Sequence, residues 1–144
     1  MIENLIEYLN TAGVKPTANR ILIARALDRA GNPMSLGDLE ERLETIDRSN
    51  IFRTLSLFRK HHLVHTINDG SDSVKYELCR HNNATDDRDS DLHPHFYCEI
   101  CRSTTCLDHI PIPPVALPSG YISLSANYVV RGLCPACAAK RGQS

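Results

Sequence analysis

The sequence predicts an α+β chain in two parts, a helical half closed by a β-hairpin and a smaller α/β half rich in cysteine. Three observations predict it. Apolar residues recur at helical spacing as far as His62, with turn signals between the runs. Two short strand-like runs then flank Asn68-Asp69-Gly70. Beyond residue 92 lie five of the six cysteines and most of the eight prolines, so that Cys79 is alone in residues 1–80. Residues 81–91 have Ala84 as their single apolar side chain, too little to order a segment by burial, and read as a hinge or loop. The expected division is therefore 1–80, 81–91 and 92–144, with no internal repeat.

The elements follow in order. A first helix is expected from about Ile2 to Thr11, ended by Gly13. Thr17 is a candidate N-cap for a second, with Ile21, Ala24 and Leu27 on one face and Gly31-Asn32-Pro33 as its stop. Ser35-Leu36-Gly37-Asp38 resembles a capping box, with Asp in place of the usual Glu or Gln, ahead of Leu36, Leu39 and Leu43. Asp47 or Ser49 can cap a fourth helix through about His62, its inner face made of Ile51, Leu55 and Phe58. Leu63–Ile67 and Val74–Leu78 supply the hairpin strands.

Composition narrows the function classes. The 144 residues are 42% hydrophobic and 23% charged, which suits a packed core rather than disorder. No run approaches the roughly 18 apolar residues of a membrane span. The N-terminus carries acids where a secretion signal has Lys or Arg, so a cytoplasmic protein is expected, with no membrane partner. A net charge of −1 gives no bulk sign of nucleic-acid binding, so any such role must come from local charge.

Helices followed by a hairpin suit a winged helix-turn-helix, with the fourth helix as the reader of DNA. Between Arg48 and His62 the cations are Arg48, Arg53, Arg59 and Lys60, and there is no acid. Ser49, Asn50 and Thr54 can face outward with Arg48 and Arg53, near the helix N-terminus, where reading helices meet base edges. A solvated face of an ordinary bundle is the competing explanation of the same charges.

Cys98-Glu99-Ile100-Cys101 and Cys134-Pro135-Ala136-Cys137 are paired C-x-x-C knuckles. Each turn brings two sulfurs to one side, and two such turns complete a closed tetrahedral zinc shell. A closed shell leaves no place for water, so the role is structural, and it supports a half-chain with few aromatics. Two disulfides or a redox pair are the alternatives; a cytosolic setting disfavours stable disulfides, and a thioredoxin-like motif would not come twice. A zinc deaminase needs H-x-E followed by P-C-x-x-C, and neither pattern is present.

A second set of donors lies around the hinge. On a strand, His93 and His95 of His93-Pro94-His95 face the same side. Cys79 ends one hairpin strand and His65 lies on the other, which gives a candidate Cys-His₃ set drawn from both halves. Nitrogen and sulfur donors favour zinc over manganese(II) or iron(II). Cys106 and Glu77 are possible further or substitute ligands. Each also has a plain structural explanation, a buried thiol or a surface imidazole.

The order of parts resembles the ferric uptake regulator (Fur) superfamily of bacterial metal-sensing transcriptional regulators over nearly the whole chain. The resemblance rests on residues 12–20 (AGVKPTANR), 49–55 (SNIFRTL), 93–101 (HPHFYCEIC) and 132–137 (GLCPAC). It implies a homodimer joined through C-terminal domains, a structural Cys₄ zinc, and a regulatory metal at the hinge that controls operator binding. By position, Lys15 matches a residue that reaches the minor groove, Arg20 a backbone-contacting arginine, and Arg53 the arginine of the recognition helix. Phe52 stands where the family usually has Tyr, so apolar contact with a thymine methyl survives and a hydroxyl contact does not.

Cys79 and the H-x-H at His93 and His95 are similar to the zinc uptake regulator branch. His65 falls where a hinge ligand is often Asp, and Cys106 where Glu or Asp is common. Leu92, Pro94 and Ala126 occupy the positions of an additional His/Asp site, whose absence is therefore implied. Ile110-Pro111-Ile112-Pro113-Pro114 replaces much of the helix that the family leads one to expect, because consecutive prolines cannot sustain helical hydrogen bonds.

The expectation is thus a cytoplasmic, dimeric, zinc-responsive regulator, a repressor, that binds double-stranded operator DNA when its hinge metal is bound. Arg59 and Lys60 join Lys15 and Arg20 in phosphate contact, while Arg53 discriminates bases. Two rivals stand beside it: the same fold sensing iron, haem or peroxide through Cys and His, and a zinc-stabilised protein-interaction module. An enzyme with a small-molecule substrate is not expected, since no open zinc site is paired with a general base.

Overall fold

A computed structural model describes residues 2–79, 94–107, 110–124 and 126–142. The predicted hinge, residues 81–91, and His93 lie outside the described residues. The chain runs α1 (Leu5–Thr11), α2 (Ala18–Ala30), β1 (Met34–Ser35), α3 (Leu36–Arg42), α4 (Arg48–Lys60), β2 (Val64–Ile67), β3 (Lys75–Leu78), β4 (His95–Cys98), β5 (Thr104–Cys106), β6 (Val129–Gly132) and α5 (Pro135–Gly142).

Caps set most of the helix limits. Thr17 Oγ1 accepts from the Arg20 N–H and opens α2, which closes at Gly31 with φ +68°. There a left-handed residue ends the helix at little cost because glycine has no Cβ. Ser35 and Asp38 form the expected capping box of α3. Asp47 is the N-cap residue of α4, although its side chain makes no capping hydrogen bond. Helix α1 starts later than the sequence suggests, because Asn4 accepts from the Glu7 N–H and fixes the start at Leu5.

Leu9, Ile23, Leu39, Ile51, Leu55, Phe58 and Leu63 are fully buried together and make the helical core. Burying each is worth about 1.5–3 kcal/mol, which orients α4 by its inner face and leaves the opposite face to solvent.

The hairpin strands belong to a three-stranded antiparallel sheet of order β1-β3-β2. Val64 faces Leu78 and His65 faces Glu77 in register. One side of this sheet, with Val64, Tyr76 and Leu78, packs on the helical core. The other presents His65, Ile67, Lys75 and Glu77. The connection between the strands spans residues 68–74, one residue more than the expected strand bounds leave. Asp69 points inward, 1% exposed, instead of standing at a solvated tip.

The second sheet has the order β5-β4-β6, with β4 antiparallel to β5 and parallel to β6. His95 lies opposite Cys106, and Tyr97 opposite Thr104. These residues occupy the side that meets Lys75 and Glu77. Residues 110–124, where the prolines replace the expected helix, hold neither helix nor strand. Among the described residues no helix is long and apolar enough to cross a membrane.

Candidate metal centres and recognition helix

Strand β4 and the start of α5 build the first centre. Cys98 ends β4, Cys101 follows a turn stabilised by the Arg102 N–H donating to the Cys98 carbonyl at 2.9 Å, and Arg102 takes φ +63°. Parallel pairing sets Cys98 beside Gly132, which brings in the second knuckle. Pro135 occupies the first position of α5, where its missing N–H costs nothing, and Cys137 sits in the first turn. One sulfur from each of Cys98, Cys101, Cys134 and Cys137 lies within 4.8 Å of the others. Cys101 Sγ and Cys134 Sγ are 3.8 Å apart, about the sulfur–sulfur distance that tetrahedral Zn–S bonds of roughly 2.3 Å require.

The electrostatics fit a cation as well. The Cys134 N–H, followed by that of Cys101, holds the Cys98 thiol down at about 6. Ser103, through its hydroxyl first and its backbone second, lowers Cys101. Cys137 is pushed up to about 12, first by the Cys134 sulfur, then by burial, then by Cys98 and Cys101. Four adjacent thiols cannot all ionise without a counter-charge, and a divalent soft metal supplies one.

The second centre is assembled across the two sheets. Glu77 Oε2 lies 3.0 Å from His65 Nε2 and 2.8 Å from His95 Nε2. The imidazole centroids are 6.4 Å apart, and the three donors converge within 4.8 Å. His95 is buried, while His65 and Glu77 are half-buried. Cys79, 6% exposed, sits on the other edge of the His65 ring, with Sγ 3.2 Å from Nδ1. The structure therefore brings together His65, Glu77 and His95, with Cys79 on the far side of one imidazole and Cys106 half-buried opposite His95 in register.

Glu77 is the hub of this cluster, although the sequence marks it only as a substitute ligand. The sequence reading misses Tyr8, whose hydroxyl donates to the Cys79 carbonyl and fixes the end of β3 against α1. A lone tyrosine in a short amphipathic helix carries no signal of such a contact.

The predicted DNA-contacting residues are exposed or half-buried. Ser49, Asn50, Phe52 and Arg53 are exposed on α4, and Phe52 is 52% exposed even though it is aromatic. Arg53 Nε donates to the Ser49 carbonyl at 3.4 Å, while Arg48 pairs with Glu40 at 2.7 Å on the surface. Lys15, Arg59 and Lys60 are exposed, and Arg20 donates to the Lys15 carbonyl at 3.0 Å, which steadies the segment before α2.

The sequence model of the ferric uptake regulator family matches residues 11–114. No curated protein sequence matches the chain significantly. Among solved structures the chain is similar to the Vibrio cholerae ferric uptake regulator, at TM-score 0.64 and 16% identity over 91% of this chain and 100% of that one. It is equally similar to a zinc uptake regulator complexed with zinc and DNA, at TM-score 0.64 and 17% identity over 96% and 93%. The Pseudomonas aeruginosa ferric uptake regulator with manganese follows at TM-score 0.58 and 21% identity over 94% and 99%. What is shared is the fold, a helical N-terminal half closed by a three-stranded sheet and followed by a smaller α/β half.

Proposed function

The chain belongs to the ferric uptake regulator family, and from that premise we propose that it is a zinc-responsive, dimeric repressor that binds operator DNA when its interdomain metal site is filled. The convergence of His65, Glu77 and His95 from three strands of two sheets carries the proposal. Residues 1–80 are read as the DNA-binding unit and 92–144 as the dimerising unit. Zinc at the four-cysteine cluster supplies cross-links between β4 and the start of α5; zinc at the second centre supplies bonds that join the two units.

The chain's own residues do the rest. Glu77, already in contact with both imidazoles, presents a carboxylate between them, and His65 reaches Cys79 through its other nitrogen. Fixing β2 and β3 against β4 fixes α4, so a dimer presents its two reading helices at the spacing of half-sites about one DNA turn apart. Arg53 and Phe52 are the base-reading pair, with Ser49 and Asn50 beside them. Lys15, Arg20, Arg48, Arg59 and Lys60 contribute salt-sensitive attraction to phosphate. Val115, Leu117, Tyr121, Ile122 and Leu124 are exposed apolar side chains suited to a second copy of the chain. Such an operator-binding protein acts in the cytoplasm, as a regulator and not a catalyst.

One observation favours a second reading. The converging donors are two nitrogens and an oxygen, a set that suits iron(II) or manganese(II) more than a thiolate-containing set does. The zinc reading expects two zincs per chain, with only the exchangeable one lost from Glu77→Ala and His95→Ala, together with metal-dependent retardation of operator DNA. A wild-type chain that binds one metal, or variants that retain both metals and DNA binding, would overturn it; preferential restoration of DNA binding by iron(II) or manganese(II) would select the second reading.

A further inference from the structure

Two residues before Glu77 on β3, a second polar constellation joins the sheets. Lys75 is buried, at 6% exposed. Its ammonium lies 3.0 Å from Asp69 Oδ2, 2.8 Å from Thr104 Oγ1 and 3.2 Å from the Arg102 carbonyl. An ammonium has three donors, and these three acceptors use them all. Thr104, itself buried, donates its hydroxyl to Asp69. Asp69 accepts in addition from the Ser71 N–H at 2.9 Å. Lys75 Nζ also stands 5.1 Å from the centre of the Tyr97 ring. At the edge of the junction, Asn127 donates to the Asn68 carbonyl at 2.6 Å.

Asp69 and Lys75 come from the hairpin, whereas Thr104, Arg102 and Tyr97 come from the cysteine-rich half. A buried ion pair is costly to desolvate and holds only where its geometry and hydrogen bonding are complete, which makes it intolerant of sliding. Lys75 and Glu77 lie on one face of β3, two residues apart. Across from them, Thr104 pairs with Tyr97 and His95 lies two residues back along β4. Seating Lys75 on Thr104 therefore sets the register in which Glu77 meets His95.

We propose that Asp69, Lys75 and Thr104 form a metal-independent latch between the winged half and the cysteine-rich half, and that these positioning residues deliver Glu77 to His95. The delivery rests on the reading of His65, Glu77 and His95 as a metal site; the latch does not. With the latch closed, the second centre is prearranged, and metal binding consolidates an interface already in register.

The test uses the full-length chain with its tight zinc retained and exchangeable metal removed by mild chelation. Amide hydrogen exchange is followed over residues 66–78 and 95–106, and zinc affinity is measured separately by chelator competition. Thr104→Val removes the hydroxyl, Lys75→Met keeps an unbranched stem against Tyr97, and Thr104→Ser restores the hydroxyl. Thr104→Val and Lys75→Met are expected to speed exchange in both segments about tenfold or more, the effect of losing a buried hydrogen bond to a charged group. Exchange in α2 and α4 and the tight zinc stay as in the wild type, and Thr104→Ser behaves like the wild type. Exchangeable zinc binds roughly 10–100-fold more weakly in the two disruptive variants, as when a supporting partner of a metal ligand is lost.

Unchanged exchange in both disruptive variants overturns the latch. Faster exchange with unchanged zinc affinity overturns its positioning role. A wild-type chain that binds no exchangeable metal overturns the metal-site reading alone, and the exchange data still judge the latch. Should Thr104→Val lose the tight zinc, Lys75→Met against Thr104→Ser decides.

Discussion

The two donor clusters are built on opposite plans. The four cysteines come from two tight knuckles joined by one parallel strand pair, all within the C-terminal part of the chain. His65, Glu77 and His95 come from three strands in two sheets, and their convergence depends on how the halves are seated. The first cluster needs only its own backbone, so metal there would act as a staple. The second reports an arrangement of larger parts, so its affinity is tied to that arrangement. On the proposed reading the first would hold its metal permanently and the second would couple a weaker metal to shape.

The sharpest way to break the contrast is to remove a staple. Cys98→Ser is expected to abolish tight zinc binding and unfold the cysteine-rich half, since structural zinc in small domains supplies roughly 10–16 kcal/mol. Zinc content and thermal unfolding check this, and a variant that keeps both its zinc and its melting temperature contradicts the staple. Glu77→Ala comes next. It should weaken exchangeable metal by more than the roughly 10–100-fold that loss of an outer-shell partner costs, with the fold and tight zinc intact. Competition titration reads the affinity, and circular dichroism the fold.

A third change leaves both clusters alone. Arg53→Ala is expected to cost about 1–3 kcal/mol in operator affinity and to relax base preference. Fluorescence anisotropy on operator and scrambled duplexes measures it, and an equal loss on both duplexes would assign Arg53 to phosphate.

The smallest effect separates the clusters by pH. A thiol held at about 6, like Cys98, is ionised at pH 7, whereas Cys137 at about 12 keeps its proton until metal arrives. Zinc uptake by the cluster should therefore release the Cys137 proton at any pH near neutrality. Below about pH 6 the Cys98 thiolate is protonated as well, and each further unit of acid costs about another tenfold in apparent affinity for that thiol. Zinc titrations in buffers of different ionisation enthalpy count the protons. A count that does not rise as the pH falls through 6 contradicts the low value of Cys98.

Much of this was legible in the residue order. Thr17, Gly31 and the Ser35–Asp38 box declare helix ends through local chemistry. Ile51, Leu55 and Phe58 declare the buried face of α4, and the C-x-x-C pairs declare their cluster. What escaped was set by partners distant in sequence. Met34-Ser35 is too short to show a strand period and becomes one only by pairing with Lys75 and Tyr76. Asp69 stands in the sequence only as part of the hairpin turn and Lys75 only as a strand position, because nothing nearby reveals that Thr104 and Tyr97 will meet them. Glu77 stands in the sequence as a further or substitute ligand, and its central place shows only once His95 arrives from the other sheet.

The parallel pairing of β4 with β6 has a consequence for biosynthesis. Neighbouring parallel strands cannot be joined by a tight turn, so Cys98 and Cys101 emerge from the ribosome well before their partner thiols. Until residues 129–137 are made, the first knuckle is half a chelate, open to competing metals and oxidants. The cluster can therefore close only after the second knuckle has been made, and the first two sulfurs have to stay reduced and unclaimed until then.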